Sequence, residues 1–255
     1  RGSGRPRATA ASKRASWKAF AARIGLEIHD SGGFYRYLPE AQTAIVGLER
    51  LDEMSGILRS FSALETLFEQ TPELAERICL LQVMGATPRP DLRAAAGELK
   101  AMSDCINGCF GSDEWKPVHL ANRAFSRAEK FALLRASRIG LMARPRAGMG
   151  LAAKEYIAAQ DPEDPGVLVL SQFAGAASEL TDAVLVDPLD DRSIAEGLRR
   201  ATEMPQAERQ GRWLSMMRKV QGNDAQRWGQ RLLAAVHSAH RTNPSEAFVA
   251  RRRAH

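Results

Sequence analysis

From Thr43 onward, short apolar runs alternate with longer amphipathic segments. The runs TAIVGL, ICLLQVMG, RIGLMA, GVLVLS and AVLVD hold four to six apolar residues each and predict strands. Helices are predicted between them, where apolar residues recur at three-to-four spacing, in ILRSFSALETLFEQTP, DLRAAAGELKAMSDCING, SRAEKFALLRAS, GLAAKEYIAAQ and the shorter AASEL. Strands separated by helices are typical of a parallel sheet covered on both faces. We therefore expect a doubly wound, Rossmann-like α/β fold.

The two ends of the chain lack this alternation. Residues 1–42 combine a basic, small-residue segment with one short amphipathic run, SWKAFAARIGLEI, and a turn-rich stretch. The C-terminal part is helix-forming, with Pro205 predicted to open one helix and Gly222 and Asn223 to end it. We expect a basic linker or remnant over 1–42, a Rossmann-like lobe over 43–240 and a basic tail over 241–255.

Composition narrows the class of protein. The chain has 255 residues, 44% of them hydrophobic, and a net charge of +6 that is concentrated in Arg1 to Lys18 and Arg251 to Arg253. Basic tails explain this charge better than a nucleic-acid-binding face, so nucleic acid is not expected as a partner. No apolar run reaches the roughly 20 residues of a membrane-spanning helix, and the N-terminus lacks the apolar core of a secretory signal. A cytoplasmic protein without membrane contact is expected.

Cysteine usage does not indicate a metal centre. Cys105 and Cys109 form a pair without the second pair or the histidines that a zinc site needs, and Cys79 stands apart. We interpret all three as reduced structural thiols and expect no metal cofactor.

The loops after the strands are the places to look for a ligand, because parallel sheets bind ligands at the carboxyl ends of their strands. Arg50 and Gly56 follow the first strand, where backbone amides and a guanidinium could hold a phosphate. A surface turn with an Arg50–Asp52 salt bridge is the alternative interpretation. RPRAGMGLAAKEY and QFAGAASEL are further small-residue turns into helices, and the two glycines of the first are a weak phosphate-loop signal.

The motifs ERLD..SG, INGCFG...WKPV, ASRIGLMARPRAGMGLAAKEYIAAQ, DPGVLVLSQFAGAASEL, AVLVDPLD and MPQAERQGRW resemble the C-terminal half of trehalose-6-phosphate synthases, of glycosyltransferase family 20. The resemblance runs from about Thr43 to about Val236. It implies the C-terminal, donor-binding lobe of a GT-B enzyme that transfers glucose with retention from UDP-glucose to glucose 6-phosphate. In that family no metal takes part, and cationic side chains neutralise the leaving diphosphate.

The resemblance also implies roles for individual residues. Arg50 matches the catalytic arginine that grips the donor diphosphate, and Glu155 matches the glutamate that binds the ribose hydroxyls. The donor loop corresponds to Gly148, Met149, Gly150 and Leu151. Arg89 matches an arginine that reaches the acceptor phosphate.

The donor site departs from the family pattern at several positions. Ser55 stands where the pattern R-L-D-Y-S-K-G has its lysine, and Ala147 and Gly150 replace the aspartate and asparagine of R-D-G-M-N-L. Loss of one charge-assisted hydrogen bond costs about 1.5 to 3 kcal/mol, which predicts weak activity. The family's acceptor-side residues lie almost entirely upstream of the segment that this chain matches, so we expect the lobe to be incomplete for catalysis alone.

Two functions remain open at this point. One is a trehalose-phosphate synthase-like transferase that binds UDP-glucose or UDP, and glucose 6-phosphate if a complementary lobe is present. The other is a degenerate, non-catalytic nucleotide-binding or regulatory module, or a relative that uses another nucleotide sugar or a pseudo-sugar. Expected protein partners are a second copy of the chain or a complete synthase.

Overall fold

The structure is a computed structural model, and it describes residues 43–49, 54–84, 93–112, 115–122, 124–145, 148–223 and 225–241. Six strands in this part of the chain form one parallel sheet. They are β1 (Thr43–Glu49), β2 (Ile78–Met84), β3 (Val118–Asn122), β4 (Ile139–Met142), β5 (Val167–Ser171) and β6 (Val184–Val186). Their order, β3-β2-β1-β4-β5-β6, is that of a doubly wound Rossmann fold, which confirms the predicted fold class.

Helices follow most of these strands along the chain. The α-helices of the described residues are α1 (Met54–Gln70), α2 (Arg93–Phe110), α3 (Arg127–Ala136), α4 (Leu151–Ala159), α5 (Asp191–Glu203), α6 (Gln206–Gly222) and α7 (Ala225–Arg241). Within the same residues, two short 3₁₀ helices lie at Pro72–Leu74 and Gly175–Ser178. The helix predicted to open at Pro205 and end at Gly222 is confirmed as α6, whereas the short helix predicted at AASEL is a 3₁₀ turn.

Strand β3 is the one element of the sheet that the sequence pattern did not predict. Its sequence, VHLAN, places a histidine between two apolar residues and follows Pro117. His119 is nonetheless largely buried, its Nε2 lies 2.9 Å from the carbonyl oxygen of Lys116, and burial lowers its pKa to about 4. A neutral histidine can therefore be buried in a strand. Because histidine counts as polar in the sequence pattern, the strand was not predicted.

The apolar core lies on one face of the sheet. Alternate strand residues such as Ile45, Leu80 and Val169 point into it, and they meet apolar side chains from α1, α2 and α5. The opposite face is covered at Gly140 of β4 by the ring of Tyr156 from α4. Both faces of the sheet are thus buried at its central strands, as their near-continuous apolar sequences predict.

The chain divides into two compact units, Arg1–Met217 and Arg218–His255. The boundary falls inside α6, and therefore inside the domain predicted over 43–240. Helix α7 belongs to the second unit and exposes Leu232, Leu233 and Val236. The predicted boundaries at 42 and 240 stay predictions, since 1–42 and 242–255 lie outside the described residues.

Two features bear on the expectations from composition. Among the described residues, no helix combines the length and hydrophobicity needed to cross a bilayer. All three cysteines are free, but only Cys79 is buried, in β2, and burial raises its pKa to about 12. Cys105 and Cys109 are exposed on α2, so burial supports a structural role for Cys79 but not for these two.

Candidate functional site

A pocket of about 290 Å³ lies at the carboxyl ends of β1, β4 and β5. The strand order reverses between β1 and β4, and at such a switch point doubly wound sheets leave a crevice for ligands. Its lining among the described residues is Leu48, Met142, Arg144, Gly148, Met149, Gly150, Leu151, Ala152, Ala153, Leu170 and Ala174. The pocket is therefore placed where this fold binds its ligands.

Helix α4 presents its N-terminus to this pocket. Its N-cap residue, Gly150, makes no side-chain capping bond, and the first turn carries no acidic residue. The first N–H groups of an α-helix have no partner within the helix and carry its positive dipole end. The start of α4 can thus offer backbone donors to an anion in the pocket.

Position 150 requires a glycine, because of both its backbone conformation and its surroundings. Its φ of 64° is in the left-handed region, and an added Cβ would lie 2.6 Å from the Cβ of Ala176. The amide of Gly175 also donates to the carbonyl oxygen of Gly148 over 3.1 Å. The loop before α4 is therefore packed tightly against the 3₁₀ turn Gly175–Ser178.

The other end of α4 is fixed by buried hydrogen bonds. The fully buried Tyr156 hydroxyl donates to the carbonyl oxygens of Ser137 and Arg138, at 3.1 and 3.0 Å. The side chain of Gln160 donates to the carbonyl oxygen of Leu134 and accepts from the amide of Gly166, at 2.7 and 2.8 Å. These bonds hold α4 against α3 and the start of β5, and so hold its N-terminus at the pocket.

The four predicted donor-loop residues, Gly148, Met149, Gly150 and Leu151, all line the pocket. Met149 and Leu151 are 54% and 60% exposed and form an apolar rim at the mouth. What the loop offers to a polar ligand is consequently its backbone.

Glu155 lies about one turn into α4. Within the described part of the chain it is not one of the residues that line the pocket. Its Oε2 forms an ion pair of 2.5 Å with Nζ of Lys130 on α3, and each side chain is 32% exposed. A ligand that reaches Glu155 would meet a carboxylate already held by a lysine.

Some of the predicted residues lie outside the described residues. These are Arg50, Arg89 and Ala147, as well as the side chain of Ser55. Their assigned roles, like those of the donor-loop residues and Glu155, stay predictions.

Arg144 is a pocket residue that the sequence pattern did not single out. It follows β4 and is half-buried, and it is the one residue with a charged side chain in the described lining of the pocket. An added Cβ at Gly56 in α1 would lie 3.2 Å from its Cγ and 2.6 Å from Oε2 of the buried Glu49. Gly56 therefore makes room for an acidic and a basic side chain between β1 and β4.

The described lining of this pocket contains no acidic, histidine or cysteine residue. Across the described ranges, no group of three or more histidines, cysteines, aspartates or glutamates is arranged to hold a metal ion. The polar groups of the described lining residues are backbone N–H and C=O groups and the Arg144 guanidinium. The N–H groups and the guanidinium are donors, which suit an anionic ligand.

The sheet order, the pocket at the switch point and the uncapped start of α4 define a doubly wound α/β lobe of the nucleotide-binding kind, as found in GT-B glycosyltransferases. The profile of glycosyltransferase family 20 matches residues 36–238. The chain belongs to that family, which confirms the resemblance of its motifs.

Individual relatives agree with this assignment. Over 187 residues the chain is 44% identical to the trehalose-6-phosphate synthase of Cronobacter sakazakii, covering 72% of this chain and 39% of that protein. It is similar in structure (TM-score 0.76, 33% identity, 89% of this chain and 50% of that chain) to the UDP-forming alpha,alpha-trehalose-phosphate synthase of Burkholderia xenovorans in complex with glucose-6-phosphate. An E. coli structure bound with UDP-2-fluoro glucose matches with a TM-score of 0.74 and 35% identity, over 86% of this chain and 49% of that chain. The chain thus spans two fifths to one half of the length of these relatives.

Proposed function

We propose that this chain is the donor-binding lobe of a trehalose-6-phosphate synthase-like glycosyltransferase, which binds UDP-glucose and takes part in glucose transfer to glucose 6-phosphate. The observation that carries the proposal is the pocket at the β1/β4 switch point, into which α4 directs an uncapped N-terminus. Solved structures similar to this chain include one bound with UDP-2-fluoro glucose and one in complex with glucose-6-phosphate.

The pocket suits the chemistry of such a transfer. When the bond between the glucose anomeric carbon and the diphosphate breaks, negative charge develops on the leaving phosphate oxygen. Preorganised backbone N–H groups and a guanidinium stabilise that charge more than they stabilise the ground state. The start of α4 and Arg144 supply both kinds of group here, and Arg50 would supply a second guanidinium. We propose that no metal is needed, so that a chelator should leave nucleotide binding unchanged.

Glu155 is proposed to bind the ribose, and Arg89 the acceptor phosphate. A carboxylate that accepts two ribose hydroxyls selects ribonucleotides, and its position on α4 couples ribose binding to the helix whose N-terminus faces the pocket. The free thiols of the described residues suit a reducing compartment. We accordingly propose a cytoplasmic location, with a second copy or a complete synthase as protein partner.

Calorimetric titration of the full chain with UDP, UDP-glucose, GDP and ADP tests the proposal. We expect micromolar binding of UDP and UDP-glucose, weaker binding of GDP and ADP, and at least about tenfold loss in Arg50→Ala and Glu155→Ala. Glu98→Ala, which removes an exposed carboxylate of α2, is the matched control and should bind as the wild type does. No binding at millimolar nucleotide, or equal affinity for all four, would contradict the proposal.

A second candidate is a binding module that holds the nucleotide without transferring glucose. It is favoured by the packing at Gly150, because the contact with Ala176 leaves no space for a side chain there and limits the loop to backbone contacts. Release of UDP from UDP-glucose that depends on glucose 6-phosphate would support the transferase. Nucleotide binding without such release would support the module.

A further inference from the structure

We propose that Arg144 binds the diphosphate of the nucleotide and supplies the positive charge that Ser55 cannot. This inference rests on the proposed function, since it assigns one contact within the same pocket. Arg144 opens the turn RPRAGMG of the sequence, but its place in the pocket, and not the sequence pattern, singles it out.

The location of Arg144 is the first support. It stands two residues beyond the end of β4 and lines the pocket together with the first turn of α4. The described lining is otherwise composed of apolar residues and glycines, so Arg144 is the cation of that lining for a dianionic group in the pocket. Guanidinium binds phosphate oxygens in a bidentate way that backbone amides alone do not match.

The contact with Gly56 is the second support. The Cγ of Arg144 lies against this glycine, close to the start of α1. Gly56 directly follows Ser55, where the family pattern has a lysine. Arg144, which follows β4, thus lies beside position 55, where the family pattern has its lysine.

Glu49 adds a negative charge beside the proposed diphosphate site, so the positive charge of Arg144 matters more for binding an anion there. Its carboxylate is buried and lies against the same glycine. An ionised carboxylate would repel a diphosphate in the adjoining pocket unless positive charge lies near both. The guanidinium has five N–H donors, enough to serve a carboxylate and a phosphate together.

Binding of UDP, UMP and uridine to Arg144→Gln tests this contact. Removing a charge-assisted hydrogen bond should weaken UDP about ten- to a hundredfold, weaken UMP less and leave uridine within about twofold. Arg144→Lys should keep part of the UDP affinity because it keeps the charge. Lys100→Gln, which removes an exposed cation of α2, is the control for net charge and should change none of the three.

Restoring the lysine of the family pattern sharpens the test. Ser55→Lys in the Arg144→Gln background should recover at least about tenfold in UDP affinity, whereas in the wild type the same change should add less, because the two cations serve one anion. Thermal unfolding of each variant confirms that the fold is intact.

Two results would overturn the inference while leaving the proposed function standing. One is UDP affinity of Arg144→Gln equal to that of the wild type. The other is an equal loss for UDP and uridine, which would mean that Arg144 acts on the shape of the pocket. Failure of the wild type to bind any of the nucleotides would instead overturn the proposed function.

Discussion

The two ends of α4 are built in opposite ways. At its C-terminal end, Tyr156 and Gln160 are buried and make hydrogen bonds to α3 and to the residues before β5. At its N-terminal end, Gly150 makes no side-chain cap and Met149 and Leu151 are exposed. The helix is therefore anchored where it meets the core and open where it meets the pocket.

This difference shows how backbone donors at an open helix end can be held in place. If the pocket binds an anion as proposed, those donors need support from elsewhere, because a loop with two glycines does not fix itself. The buried half of α4 and the packing of Gly150 on the 3₁₀ turn supply that support. The proposed chemistry of the open end thus depends also on residues outside the pocket.

Breaking the anchored end should have the largest effect. Tyr156→Ala removes a fully buried ring that packs on Gly140, and we expect a loss of about 3 to 5 kcal/mol in the free energy of unfolding. Tyr156→Phe keeps the ring and loses the hydroxyl donor, so about 1 kcal/mol should be lost. Urea unfolding measures both. Equal stabilities for Tyr156→Ala and the wild type would show that α4 is not anchored as described.

Changing the open, N-terminal end of α4 should have an intermediate effect. Gly150→Ala places a Cβ in the left-handed region and against Ala176, for an expected loss of about 1 to 3 kcal/mol. Gly148→Ala is the matched control in the same loop, because nothing lies within 4 Å of an added Cβ there. It should cost no more than about 0.5 kcal/mol. Similar losses in both variants would contradict the packing assigned to Gly150.

The smallest effect is expected at the ion pair between α3 and α4. Ser126 and Glu129 form a capping box that fixes the start of α3, from which Lys130 reaches Glu155. If Glu155 binds the ribose, Lys130→Met should lower the preference for UDP over 2′-deoxy-UDP by about two- to fivefold, since a partly exposed ion pair contributes at most about 1 kcal/mol.

The ratio of the affinities for UDP and 2′-deoxy-UDP is compared because both nucleotides carry the same diphosphate, whose contribution cancels. Lys130→Arg should keep the wild-type preference because it keeps the charge. An unchanged ratio in Lys130→Met, with UDP still bound, would show that the ion pair does not position Glu155 for ribose.

The sequence predicted most of the fold because apolar periodicity reports burial directly. Five strands stand close to their expected places, and β3 was missed because His119 breaks the apolar pattern while being buried as a neutral group. Helix α6 was predicted well, since Pro205 and Gly222 are local signals that need no tertiary context.

The site was less predictable than the fold. The glycine-bearing loop at Gly148 and Gly150 could be found, because glycines before a helix are visible along the chain. The pairing of Glu155 with Lys130 could not, since it joins residues of two helices. Arg144 begins the same turn, but its place beside Gly56 could not be predicted, because Gly56 is distant in sequence.

Hydrogen exchange of the full chain with and without saturating UDP tests whether the N-terminus of α4 holds the diphosphate. We expect UDP to slow exchange in the first turn of α4, at Leu151 and Ala152, while α2 (Arg93–Phe110) exchanges as before. UDP binding without any change at the start of α4 would contradict the claim that this helix N-terminus holds the diphosphate.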